Sequence, residues 1–569
     1  MNTHSASRVL PGLTIILSLF AVTARAQWQP YGEVVGGVKA TGPSLVPDGS
    51  GGAIFAWSDA GFEESYGEVY IQRVNAGGVK QWTCCGKPIL TNPAYAAAHQ
   101  SNAKAVTDGA GGVIVVWLDS RNEGVYFDIY AQRFDGTGAP LWSDGGVPVC
   151  MAPHFQWNMT AIPDGTGGAI IAWTDVRNLN DGDIYAQRIS AAGSPLWNAN
   201  GVAVCIAVSN QEFPVALTDG SGGAWICWKD TRNGLYYTDI YARRVDAAGV
   251  PQGVADGIAI CATDGFQQNP AITSDGSGGA IVAWYDDRNG FDNTDVYAQR
   301  VNATGATQWT VNGVGVCNAP GVQDVPAIAE DGSGGAFVVW RDARVFGPSL
   351  FGQRINAAGV GQWSTNGDSL ATIHPYDSEP SIMADGAGDA IVAWIAPGFG
   401  ANEYVRVQRL DANGDPLWLP RGVPLGLNDQ VRHPTLVSDA AGGAIVTWEV
   451  GQPFFSSVIV AGHVNGQGWA TDVGPARSPS LIVADVYPNP FSGTASIKIE
   501  MTAPSALQID IFDVAGRRVR SIARYNAALS QVVDIADRND AGRLLPSGVY
   551  FCRVRAAGET VTRKMVIAR

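Results

Sequence analysis

Asp275-Gly276-Ser277-Gly278-Gly279-Ala280-Ile281-Val282-Ala283-Trp284 is one of eight variants of a single phrase, Asp-Gly-x-Gly-Gly-Ala-φ-φ-x-Trp with φ apolar. The phrase ends at Trp57, Trp117, Trp173, Trp228, Trp284, Trp340, Trp394 and Trp448, with successive spacings of 60, 56, 55, 56, 56, 54 and 54 residues. A period of about fifty residues, built from short apolar runs and Gly-rich turns, marks a blade-type repeat. Around the quoted stretch, residues 270–274 predict a first strand, 275–279 a turn and 280–284 a second strand. Residues 286–293 form a longer loop, 295–301 an alternating third strand, 302–305 a turn and 309–317 the fourth strand. Four antiparallel strands per unit, repeated about an axis, make a β-propeller.

A second tryptophan ladder marks the fourth strands: Trp82, Trp142, Trp197, Trp309, Trp363 and Trp418, with Gln252 standing in once. Residues 28–36 align with 142–150, so the chain is expected to begin with an outermost strand that completes the last unit. Such pairing closes the ring and removes an exposed edge. Eight blades are expected. Trp469 offers a rival fourth strand for the last unit.

The 569 residues hold 70 glycines and only 16 % charged residues, a mixture suited to many short strands joined by tight turns. The net charge of −15 argues against nucleic acid as a partner. From Ala484 onward, however, 12 Lys/Arg outnumber 8 Asp/Glu, which sets the C-terminal segment apart. Arg8, the apolar run 9–22 and Ala24-Arg25-Ala26 read as a signal peptide over 1–26. That run is too short to span a bilayer, and no later segment reads as transmembrane. Of the eight cysteines, Cys150, Cys205, Cys261 and Cys317 recur at one repeat position. Equivalent positions in neighbouring blades are too far apart to bridge, so buried free thiols are expected. Cys84 and Cys85 are adjacent.

The propeller is expected over 27–470, a linker over 471–483, and a β-sandwich over 484–569. In that last segment, Tyr487-Pro-Asn-Pro-Phe491 is followed by Ile511-Phe-Asp-Val-Ala-Gly-Arg-Arg-Val519 and Asp540-Ala-Gly-Arg543. Pro546-Ser-Gly-Val-Tyr-Phe551 and Arg563-Lys-Met-Val-Ile567 complete the series. Together they resemble a type IX secretion C-terminal sorting domain, related to the FlgD-like immunoglobulin fold. The resemblance implies periplasmic transit, contact with outer-membrane secretion machinery, and release or attachment at the cell surface. The repeat more loosely resembles sialidase-type blades.

Trp-x-Asp-x-Arg occurs in five successive units, at Asp119/Arg121, Asp175/Arg177, Asp230/Arg232, Asp286/Arg288 and Asp342/Arg344. A catalytic group acts once per site, so these pairs read as clamps on the loop after the second strand. Calcium is the one cofactor weighed, at 178–183 and 292–295, and neither segment has an EF-hand spacing. P-loop, nucleophile-elbow and His-Glu-x-x-His motifs are missing. The residues that break the repeat are more informative. The links between units and the loops after second strands emerge on one face and carry varied aromatics and histidines. Trp157, His154, Tyr126, Tyr236, Phe291 and Tyr376 are the candidate binding residues on that face. They point to a glycan- or protein-binding propeller without catalysis. A hydrolase or lyase acting on extracellular polysaccharide is the alternative, and a purely structural surface protein the second.

Overall fold

The computed structural model describes residues 28, 33–36, 39–59, 67–83, 86–92, 98–122, 124, 126–179, 181–234, 237–344, 348–373, 379–397, 402–451, 457–470, 481–483, 486, 489–501, 505–514, 516–527, 530–556 and 559–568. The signal-peptide segment 1–26 and the Cys84-Cys85 pair lie outside these residues. The repeat folds as expected, into eight four-stranded antiparallel sheets. The unit around the quoted stretch comprises Gln267–Ser274, Ala280–Asp286, Asp295–Val301 and Val314–Cys317. Its first strand begins earlier than the sequence suggests. Its fourth begins later, because Trp309 sits in the preceding turn.

The last sheet runs Glu33–Val34, Val458–Val464, Ala444–Val450, Val431–Ser438. The N-terminal strand therefore closes the ring, pairing Glu33 with Ala461 and Val34 with Val460. Trp28 is buried and its indole donates to the Ala76 carbonyl of the first sheet, as Trp142 donates to Ala191 and Trp309 to Ala357. Trp469 is no rival. It lies in the turn after Val464 and is half exposed.

Each Asp-Gly-x-Gly-Gly turn is organised by its aspartate. Asp275 Oδ1 accepts from the N–H groups of Ser277 and Gly279, both at 2.8 Å. Its Oδ2 accepts from Arg300 of the third strand, and Arg300 Nη1 donates onward to the Ala357 carbonyl of the next sheet at 3.1 Å. A Cβ at Gly279 would sit 2.2 Å from the Val301 carbonyl, so glycine suits this turn, although Asp389 holds the equivalent place in the seventh sheet and its N–H still bonds to Asp385. The same arrangement recurs as Asp48–Arg73, Asp108–Arg133, Asp164–Arg188, Asp219–Arg244 and Asp331–Arg354. In the last sheet His463 replaces the arginine, 2.8 Å from Asp439. A second glycine requirement lies under the ladder tryptophans. Gly313 has φ 86°, and a Cβ there would meet Trp284 at 2.5 Å.

The Trp-x-Asp-x-Arg motif is a clamp. Asp175 accepts from the Trp173 indole at 2.7 Å and from two nitrogens of Arg177 at 2.8 and 2.7 Å. Arg177 lies 3.6 Å over the Tyr185 ring and donates to the Asn200 carbonyl. The motif is missing from the first, seventh and eighth sheets, and there the indole N–H groups of Trp57, Trp394 and Trp448 are buried without a partner. The six described cysteines are all buried and free. Burial pushes the Cys150 and Cys205 thiols up to about 12, which leaves them inert at neutral pH.

One ladder position needs correcting. Gln252 N–H donates to the Arg244 carbonyl just as Gln308 does to Arg300, so Gln252 matches the residue before each tryptophan. The residue standing in for tryptophan is Gly253. Trp225, in the second strand of the same sheet, is buried and donates to the Gly278 carbonyl of the next sheet at 3.0 Å. It thereby fills the space left by the missing ring.

The C-terminal segment forms two sheets, Leu481–Val483/Thr494–Met501/Ser530–Ala536 and Arg518–Ala527/Ser505–Asp513/Gly548–Ala556/Glu559–Ile567. One core joins them, including Ile497, Ile499, Val533, Ile509, Ile511, Tyr550 and Met565. Leu481–Val483 pairs with the strand ending at Met501, so the expected linker 471–483 gives way to the sandwich at 481.

Two predictions follow from the buried carboxylates. Asp275→Ala removes both turn bonds and strands Arg300, and should lower the propeller's unfolding free energy in urea by about 3 kcal/mol. Asp239 faces Asp230 across the sheet, and burial, opposed by an Asn233 hydrogen bond and reinforced by Asp230, pushes its carboxyl up to about 6. Being raised on folding, this group favours the fold below the unfolded carboxylate range and loses that contribution as pH climbs through about 6. The stability advantage of Asp239→Asn should therefore be absent near about pH 4 and grow to about 2 kcal/mol at neutral pH. Thermal melts across that range check it, and a pH-independent difference would refute it.

Candidate functional site

Every first strand contacts the first strands of the sheets on both sides, so the eight of them ring the axis. Seven carry a bulge near their start, as between Trp157 and Thr160 or Asp324 and Ala327. The bulged residue has positive φ: Gly42, the asparagines 102, 158 and 269, and Phe213, Val325 and His433. Counting back from the turn, Glu379 takes this place in the seventh sheet. Bulky residues pay roughly 1–3 kcal/mol to sit in this region. Phe213 (φ 55°), Val325 (φ 49°) and His433 (φ 49°) are therefore held by more than local preference.

The repeat varies most here. The residue before each bulge faces a variable residue of the second strand: Trp157 opposite Thr174, Glu212 opposite Lys229, Gln268 opposite Tyr285 and Asp324 opposite Arg341. Lys229 and Glu212 form an ion pair at 3.0 Å, and Lys229 lies 4.8 Å over the Phe213 ring. Arg341 grips both oxygens of Asp324. Glu379 and His433, bulge-position residues of adjacent sheets, approach to 3.6 Å, with both side chains more than half exposed. The His433 hydrogen bond holds the Glu379 carboxyl below the usual carboxylate range, against the opposing effect of burial.

Three of the expected binding residues come together. Tyr126, from the loop after a second strand, meets His154 edge-on at 5.2 Å and Phe155 edge-on at 4.7 Å. Phe155 in turn stacks on Trp157 at 5.7 Å and 26°. Links between sheets and loops after second strands thus share a face, as the His99–Phe127 contact also requires. Trp157 is 38 % exposed, a broad ring open to solvent. His154 has φ 70° and a buried Nδ1 without a partner. Phe291 is 80 % exposed, and no described aromatic ring packs on it. Tyr236 and Tyr376 lie outside the described residues. Phe155 and Phe213, aromatics of the links between units that break the repeat, are not among the six candidate binding residues. Among the described residues no group of three or more His, Cys, Asp or Glu could hold a metal ion. In the segments weighed for calcium, Asp183 accepts from Asn178 and Asp295 from Asn289.

A search of curated proteins finds no match to the chain. Among solved structures it is similar to a protein of unknown function from Dyadobacter fermentans, at 11 % identity and a TM-score of 0.32, over 55 % of this chain and 93 % of that one. It is also similar to an α-L-arabinofuranosidase from Fusarium graminearum in complex with an iminosugar inhibitor (9 % identity, TM-score 0.32, 64 % of this chain and 92 % of that one). A third is the α-L-arabinanase of Penicillium chrysogenum complexed with arabinobiose (11 % identity, TM-score 0.31, 62 % and 89 %). No helix among the described residues is long and apolar enough to cross a membrane. Residues 485–568 match the secretion system C-terminal sorting domain family, and this tail marks the chain as a secreted or cell-surface protein.

Proposed function

We propose that the propeller binds an extracellular glycan or protein at the axial mouth, without chemistry of its own. The observation that carries this reading is the Tyr126–Phe155–Trp157 cluster, a chain of ring contacts ending in a solvent-open indole beside the first strands. Packing from behind fixes the Trp157 ring, so little freedom is lost when a sugar face or an apolar side chain settles on it. His154 lies on the far side of Tyr126 and Phe213 on the adjacent first strand, so the aromatic surface extends over two sheets. Phe291, in the loop after the next second strand, would extend it further round the ring.

The hydrolase or lyase alternative would need a carboxylate that the repeat does not explain. Glu212, Asp324 and Glu379 qualify by position; the first two are paired to Lys229 and Arg341, and Glu379 lies 3.6 Å from His433. Two carboxylates poised as acid and base are usually left open to the scissile bond. Attachment to, or passage through, the outer-membrane secretion machinery is assigned to the sorting domain, leaving the propeller as the cargo that meets the ligand.

The test is a glycan array and a surface-protein panel probed with the mature chain, repeated with Trp157→Ala. The variant should lose about tenfold or more in affinity for any ligand that the wild type retains. Unchanged binding would remove the proposed site, and a wild type that binds nothing would favour a purely structural protein.

A further inference from the structure

The inner strand of the second sheet carries a charge that no described residue balances. Lys104 lies on the first strand Gln100–Thr107, two residues past the bulge at Asn102, opposite Val116. The same place in other sheets is held by small or uncharged residues, such as Ser44, Thr160 and Ala271. Lys104 makes no ion pair or side-chain hydrogen bond with any described residue. Its strand is covered on the outside by Val113–Asp119 and flanked by Ala40–Pro47 and Gln156–Pro163. The channel is therefore its way to solvent, and the side chain is half-buried there.

An ammonium withdrawn from water without a counter-charge is unfavourable. Burial lowers the Lys104 pKa and no neighbouring carboxylate opposes it. Ordinary repeat packing gives no reason for this residue, since alanine, serine, threonine or valine fills the place in other sheets. An anion entering from the mouth would supply the missing partner. The groups nearest it on the second and third sheets are uncharged: the side-chain amides of Asn102 and Asn158 make no hydrogen bond to a described residue, and Trp157 stands next to Asn158. Free amides suit sugar hydroxyls, and the aromatic rings suit sugar faces. The chain's net charge of −15 would repel a polyanion at long range, so an acidic ligand needs a local cation of this kind.

We infer that Lys104 receives the carboxylate of an acidic glycan whose sugar rings pack on the Phe155–Trp157 surface at the channel mouth. The inference rests on the proposed binding at that mouth, and adds the chemical class of the ligand. Carboxylates of an acidic peptide are the competing source of the same charge.

The experiment uses the mature chain with oligomers of galacturonate, glucuronate and mannuronate, each paired with its carboxyl-reduced form, and with an oligoglutamate peptide. Wild type should bind at least one uronate about tenfold more tightly than the reduced form, and more tightly than the peptide. Lys104→Met should abolish that preference while leaving binding of the reduced form unchanged, and Lys104→Arg should retain it in part. Matching melting temperatures for wild type and Lys104→Met would show that folding is intact. A wild type without preference for any charged form, a preference that survives Lys104→Met, or tighter binding of the peptide would each overturn the inference. Trp157→Ala separates the two readings. Equal loss of charged and reduced forms in that variant, with Lys104→Met silent, would uphold the mouth as a site and reject the acidic ligand.

Discussion

The propeller depends on one carboxylate per sheet. In six of the eight sheets the turn aspartate does three things with two oxygens: it closes its own Gly-rich turn, fixes the third-strand arginine, and through that arginine reaches the next sheet. The turn is tight at its last position, where seven of the eight turns carry glycine and the seventh carries Asp389. Glycine and aspartate therefore recur together in the sequence as one requirement. A charge buried in this way contributes little net stability by itself. Its effect is on register, because strands that slip by one residue lose the arginine from the turn.

This dependence explains how much could be read from the chain alone. The turn phrase and the two tryptophan ladders reveal the strand order, the sheet number and the displaced N-terminal strand, because each residue type there answers a local steric demand. The third-strand arginine escaped notice, since Gln-Arg in an alternating strand looks like a solvated edge until its partner 25 residues away is known. Gln252 was misread for a similar reason. The ladder looks continuous in sequence, yet the ring it lacks at Gly253 is supplied from another strand by Trp225.

The candidate site was legible in part. Trp157, His154 and Tyr126 could be found by asking which aromatics the repeat leaves unexplained. Phe155 and Phe213 belong to the same surface but sit in polar surroundings, after His154 and Glu212, where nothing local sets them apart from other link residues. Lys104 and Glu379 had no signal of their own, because bulges shift register and bulges are hard to see in sequence. The first strands turn out to have two sides. Aromatic and amide groups cluster in the second to fifth sheets, while charged pairs recur in the fourth, sixth and seventh-to-eighth, so the mouth of the ring is chemically uneven.

The pairing of Glu33–Val34 with Val458–Val464 has a consequence beyond covering an edge. In an open array of repeats each unit touches only its neighbours, so terminal units can fray while the middle stays folded. Here both ends of the array share one sheet, and Gly42 bonds to Glu449 across 407 positions of sequence. Fraying at either end must first break that shared sheet, at which point every neighbour-to-neighbour interface has lost its closing constraint. The ring consequently behaves as a single cooperative unit whose stability is set at its seam, even though its interactions are repeated eight times.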